Sequence, residues 1–135
     1  MSRENVEVVQ RWVDALNAAD VASFLDVWDH ECEFFSVTGS QMDGTPYRRH
    51  EGIRRYWKER METWTELRFD VERILEGKES DVVVAVGLLI GRGQASGVLI
   101  DQRLGVVFEL RDRKIRICRS YSDPEDALDA VGQAG

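Results

Sequence analysis

The chain is poor in the residues that would tie it to most specialised protein classes. It has only two cysteines, Cys32 and Cys118, in 135 residues. Both lie in apolar runs and two are too few for a disulfide framework, so a reducing, cytoplasmic setting is expected. There are two histidines, His30 and His50. The spacing His30-Glu-Cys32 has no second cluster to complete a tetrahedral site, so neither a metal nor any other cofactor is expected. No apolar run approaches the ~18 residues of a membrane span, and no apolar core of a signal peptide follows Met1. Positive charge is also short, with 18 Lys and Arg against 25 Asp and Glu and a net charge of −7. That balance argues against nucleic acid or an anionic membrane as a partner. One basic stretch exists: Arg48, Arg49, Arg54, Arg55, Lys58 and Arg60. Interrupted by Glu51 and Glu59 at helical spacing, it reads as the solvated face of a helix.

What is present is hydrophobic patterning suited to one domain over residues 1–135. Residues 3–17 carry Val6, Val9, Trp12, Val13 and Leu16 at the spacing of an amphipathic helix, with Ser2 placed to cap it. Asp20 can cap a second helix carrying Phe24, Leu25 and Trp28, with His30 just past its end. Residues 32–37 read as a strand, 38–49 as a loop, and 52–63 as a third helix with Ile53, Tyr56, Trp57 and Met61 inward. After Trp64 the period changes to strands over about 67–74, 81–91, 98–110 and 115–122. Short turns, one at Arg111-Asp-Arg-Lys114, predict an antiparallel meander. Asp123-Pro124 opens a last short helix that Gly132 ends. Helices preceding and covering one face of a curved sheet make this an α+β chain, an arrangement that leaves room for a pocket between the layers.

Trp12, Trp28 and Trp57 fall on the apolar faces of the three predicted helices. Aromatics so placed either fill a core or wall a pocket. Gln102 is the one polar member of the strand face Val98, Ile100, Leu104, Val106, Phe108 and Leu110. A buried amide there needs a partner, which could be a ligand, the backbone or a water. Asp101 and Arg103 fall on the opposite face and read as an exposed or interface pair. His50, at the start of the third helix, is the candidate general base, since its ordinary pKa suits neutral pH. The final strand is ambiguous: Ile115 and Ile117 favour one inward face, Cys118 and Ser120 the other. Glu33 is expected to point away from Phe34 and Ser36.

Several loose motifs in a fixed order carry a family resemblance. They are Val9-Gln-Arg-Trp12 through Asn17-Ala-Ala-Asp20, then Trp28-Asp29, Tyr47-Arg-Arg-His-Glu-Gly-Ile53 with Tyr56-Trp57, Lys114-Ile115, and Tyr121-Ser-Asp123. Along nearly its whole length the chain resembles SnoaL-like proteins of the cone-shaped, nuclear transport factor 2-like superfamily. The resemblance implies a curved, mostly antiparallel sheet packed by three N-terminal helices, with a short C-terminal helix. It does not fix an activity, because this fold hosts isomerases, epoxide hydrolases, cyclases and assembly domains. The isomerase oxyanion tyrosine aligns with Trp12, its base with Ser36, and its oxyanion aspartate with Gly105 or Val106. None of these residues can perform that chemistry. The epoxide hydrolase acids align with Ser120 and a segment around Gly91 to Gly93 in which only Arg92 is charged. The resemblance therefore implies an apolar pocket walled by Trp12, Trp28, Phe34, Ser36, Tyr47, Trp57, Gln102, Val106 and Ser120. The expected partner is a small hydrophobic or aromatic molecule, with a homodimer formed through the sheet. Isomerase, hydrolase or cyclase chemistry drawing on His50, Tyr47 or Gln102 is the alternative, and a protein-interaction domain with a filled core is another.

Overall fold

The computed structural model describes residues 2–36, 45–79 and 81–132, with Ser2 as backbone only. The expected cap by the Ser2 side chain, the strand end at Val37 and loop residues 38–44 lie outside the described residues. Among the described residues, four helices and six strands run in the order α1 (Ser2–Ala18), α2 (Val21–Asp26), β1 (Trp28–Phe35), β2 (Tyr47–Arg48), α3 (Arg49–Thr63), β3 (Trp64–Glu76), β4 (Val82–Gly93), β5 (Leu99–Arg111), β6 (Lys114–Tyr121), α4 (Pro124–Ala130). The strands form one sheet in the order β2-β1-β6-β5-β4-β3. The expected meander is β3 to β6, all antiparallel, while β1 joins β6 in parallel. The architecture is α+β, as expected.

Local chemistry explains most boundaries. Asp20 accepts a hydrogen bond from the Ser23 backbone N–H at 3.2 Å and starts α2. Asp123 accepts from the Glu125 N–H at 3.0 Å, with Pro124 opening α4. Asp112 and Arg113, with φ of 51° and 63°, form a two-residue turn whose twist suits the β5–β6 hairpin.

Five expectations need correction. Trp28 is the first residue of β1, because α2 stops at Asp26 after six residues. His30 therefore lies within β1 rather than just past a helix. Met61 is half exposed, and Arg60 occupies the inward position that follows Ile53, Tyr56 and Trp57. The basic stretch is thus not wholly solvated: Arg60 is 7% exposed. Part of the expected loop is also ordered differently, as β2 pairs Tyr47 with Phe34 and α3 begins at Arg49.

The reason for burying Arg60 lies at the edge of the sheet. β3 is an edge strand, so alternate backbone groups point away from β4. Arg60 donates to the Leu67 carbonyl and to the Leu16 carbonyl near the end of α1, both at 3.0 Å. Its guanidinium lies 4.7 Å from the Trp57 ring centroid. Asn17 completes the cover: its Nδ2 donates to the Phe69 carbonyl at 3.0 Å and its Oδ1 accepts from the Phe69 N–H at 2.7 Å. Two polar side chains thus fasten the end of α1 to the free edge of β3.

The ambiguity in β6 also has a physical answer. The register with β5 shifts between Glu109↔Ile117 and Leu110↔Ile115. This irregularity changes the face the strand presents, so Ile115 and Cys118 both enter the main core. On the opposite face of the sheet, α4 covers Val84, Val86 and Val107. Gly105 permits that close approach, since a Cβ there would meet the Ala127 Cβ at 2.5 Å.

Candidate functional site

Between the helices and the inner face of the sheet lies a small void of about 20 Å³. Trp12 and Leu16 of α1 and Tyr56 of α3 form its helical side. Phe34 of β1, with Ser36 just beyond it, and Ser120 of β6 line one part of the sheet side. Phe69, Leu89 and Leu104 close the remainder. Ser36 follows Phe35, the last residue of β1, which registers with Arg119 of β6, the neighbour of Ser120.

Four expected site residues, Trp12, Phe34, Ser36 and Ser120, line this void. Trp28, Tyr47, Trp57 and Val106 belong to the same buried core without lining it. The aromatic side chains interlock: Trp12 stands 5.1 Å from Phe108 and 5.7 Å from Phe24, and Trp28 is 5.2 Å from Phe34. Tyr47 donates its hydroxyl to Glu59 and lies beneath Arg55. Gln102 is half-buried opposite Leu89 and is not part of the lining. Tyr56, Leu16, Phe69, Leu89 and Leu104 also line the void. Tyr56 and Leu16 carried a usable signal as inward helical positions, whereas the three strand residues depended on register.

His50 stands elsewhere. Its Nε2 lies 2.8 Å from the Trp28 carbonyl oxygen, and its ring stacks on His30 with centroids 5.1 Å apart. Arg103 makes a two-point ion pair with Glu72 of β3, at 2.9 and 3.1 Å. Glu33 faces Arg48 at 2.9 Å, away from the core as expected. Arg92 is exposed and donates to the Gly97 carbonyl.

The electrostatics of the void are nearly neutral. Among the described residues lining it, Tyr56 is the one side chain that titrates. Among the described residues, the buried indole N–H groups of Trp12 and Trp28 have no hydrogen-bond partner. Among the described residues, no group of three or more His, Cys, Asp or Glu is placed to hold a metal ion. Burial pushes the Cys32 thiol up to about 12, and burial with Cys32 nearby raises Cys118 as well. Thiols held neutral in this way are poor nucleophiles. Neither cysteine should react with Ellman's reagent in the native protein, and both should react at once in denaturant. Rapid labelling of the native protein would contradict their burial.

Larger hollows are open grooves on the outside. One of about 510 Å³ between α1 and α2 is edged by Arg11, Asp14, Asp20 and Asp26. Among the described residues, no helix is long and apolar enough to cross a membrane.

Helices α1 and α3 packed on a curved sheet, with a void between them, are the geometry the sequence motifs imply. The model of the SnoaL-like domain matches residues 9–117. The chain belongs to the SnoaL-like family. No curated protein matches this SnoaL-like domain by sequence. Its fold is shared with a putative polyketide cyclase from Pseudomonas putida, at TM-score 0.76 and 16% identity, covering 97% of this chain and 98% of that one. A Mycobacterium tuberculosis protein in complex with estradiol-17beta-hemisuccinate superposes at TM-score 0.77 and 13% identity, covering 87% and 92%. A protein of ketosteroid isomerase-like fold from Catenulispora acidiphila, in complex with trimethylamine, gives 0.74 and 12%, covering 94% and 93%. These likenesses establish the nuclear transport factor 2-like fold of the SnoaL-like domain.

Proposed function

We propose that this SnoaL-like domain binds a small hydrophobic or aromatic molecule between its helices and the inner face of its sheet. The observation that carries the reading is the void bordered by Trp12, Phe34, Tyr56 and two serines. Apolar walls with a few polar points are what small-molecule sites use to combine affinity with orientation. The scarcity of titratable groups in the lining favours binding over acid–base catalysis. His50 lies outside the lining, so binding should not depend on it. The ligands held by the Mycobacterium and Catenulispora proteins support a ligand site in this fold.

At about 20 Å³ the void has room for roughly one water. A ligand must therefore displace side chains as it enters, selecting a more open arrangement than the one described here. The same small volume favours a second reading, a protein-interaction domain with a filled core. Titrating tryptophan emission with a panel of hydrophobic compounds separates the two. Binding predicts a saturable shift or quench, because Trp12, Trp28 and Trp57 share the core around the void. A flat response to the whole panel would leave the filled core.

We further propose a homodimer formed through the outer face of the sheet, in a cytoplasmic setting consistent with two unpaired buried thiols. Leu88 and Ile90 are only half-buried on that face, and Leu99 is 56% exposed. Arg103–Glu72 and Arg68–Asp70 neutralise the charges beside them. Sedimentation equilibrium should give twice the 15.5 kDa chain mass, and Ile90→Glu should return the monomer. A monomeric native protein would remove the dimer from the account.

A further inference from the structure

Arg60 is a buried cation whose hydrogen-bond donors are only partly matched. A guanidinium carries five N–H groups. Nη2 serves the Leu16 and Leu67 carbonyls, while among the described residues Nε has no partner. Nη1 donates to the Met61 thioether, with Nη1 and Sδ 3.6 Å apart. A thioether is a weak acceptor, a poor match for a charged donor removed from water. Met61 itself is 50% exposed. Its backbone is held in place from the sheet side, where Gln94 Nε2 donates to the Met61 carbonyl at 3.3 Å. A solvent-accessible sulfur thus touches the cation that joins α1 to the free edge of β3. The two thiols that could compete for an oxidant are buried.

We propose that Met61 is a reversible oxidation site, and that its sulfoxide tightens the Arg60 bridge between α1 and β3. The oxidant is a hydroperoxide. The sulfur lone pair attacks the terminal peroxide oxygen, and an S–O bond forms as the O–O bond breaks. The proton on the transferred oxygen passes to the departing one, which leaves as water or an alcohol. Sulfur is oxidised and the peroxide is reduced. A dithiol acting through methionine sulfoxide reductases reverses the step, releasing the oxygen as water while the dithiol becomes a disulfide. In the oxidised form a strongly polarised oxygen comes within reach of Nη1 in place of a soft sulfur, and a charge-assisted hydrogen bond replaces a weak one. Sulfoxides damage proteins where they intrude on an apolar core. Met61 has water on one side and a guanidinium on the other, so the new oxygen displaces no apolar contact of the core.

Dilute hydrogen peroxide applied to the native protein should add one oxygen at Met61, located by peptide mass mapping, and raise the Tm by about 3 °C. Methionine sulfoxide reductases A and B together should restore the original Tm. Met1 and Met42 are oxidisable too, so Met61→Leu is the control, and peroxide should leave its Tm unchanged. Arg60→Leu should still gain oxygen at Met61 but show no rise in Tm, which separates the hydrogen bond from oxidation as such. Met61→Gln keeps the test decisive if Arg60→Leu does not fold. It places a carboxamide oxygen where the sulfoxide oxygen would stand, without oxidant, and its Tm should exceed that of Met61→Leu. A Tm unchanged or lowered by oxygen at Met61 would overturn the proposal. So would a rise that persists in Arg60→Leu, or a Met61 that peroxide leaves untouched in the native protein.

Discussion

Replacing Arg60 with alanine should destabilise the domain by about 3 kcal/mol and lower its Tm by roughly 10 °C. The size follows from what the side chain holds. One guanidinium nitrogen joins the Leu16 carbonyl of α1 to the Leu67 carbonyl of β3, and the cation lies over Trp57. Alanine removes all three interactions and leaves the Leu67 carbonyl on a sheet edge without its donor. Burial pushes the Arg60 pKa down, yet arginine begins so high that it stays charged at any ordinary pH. Arg60→Met separates the contributions: the stem still packs, but the carbonyls lose their partner, so the loss should be intermediate. Thermal denaturation by circular dichroism measures both variants. An unchanged Tm for Arg60→Ala would mean that the bridge between α1 and β3 contributes nothing.

Gly87→Ala should be comparably damaging, for a steric reason. A Cβ at Gly87 would stand 2.2 Å from the Asp70 carbonyl oxygen and 2.9 Å from the Val71 Cα. Both are backbone atoms of β3, which cannot rotate away as a side chain would. The site adjoins the irregularity between Val71 and Arg73, where β3 bends against β4. Substitution must therefore open the strand pair at the point where the sheet curves around its contents. We expect a loss of 3 kcal/mol or more, on the order of the larger single-site effects. Gly91→Ala provides the comparison on the same strand. There the new methyl meets the edge of the Trp64 ring at 2.8 Å, and a half-buried ring can shift. Its cost should be about 1 kcal/mol. Equal losses in urea denaturation would contradict the distinction between a backbone and a side-chain neighbour.

These two residues also mark where the sequence stopped being legible. The order of the elements other than β2, the meander, the amphipathic α1 and the capped α4 all followed from periodicity and cap chemistry, which act within a few residues. Arg60 did not, because its placement depends on a sheet edge formed by residues distant in space. Hydrophobic preference pointed to Met61, whereas the helical geometry turned Arg60 inward beside Trp57. Trp28 was ambiguous in another way. The fourth residue after Phe24 can be the next turn of a helix or the opening of a strand, and both bury the indole. In β6 the competing claims of Ile115 and Cys118 were both right, since the register shift brings each to the core. Of the candidate site, Trp12, Phe34, Ser36 and Ser120 line the void together. The unmatched indole donors could not be read from the sequence, because it does not show which hydrogen-bond partners a fold supplies.

The claim at the centre of this account is that the space between helices and sheet admits a small apolar molecule. Titrating tryptophan emission with fluorenone, in the native domain and in Ser120→Val, tests it most directly. Valine suits a strand, and its added bulk enters the void from the sheet side. The account predicts a saturable emission change in the native protein that Ser120→Val abolishes while its Tm is maintained. No saturable change in the native protein, or the same change in both, would contradict it.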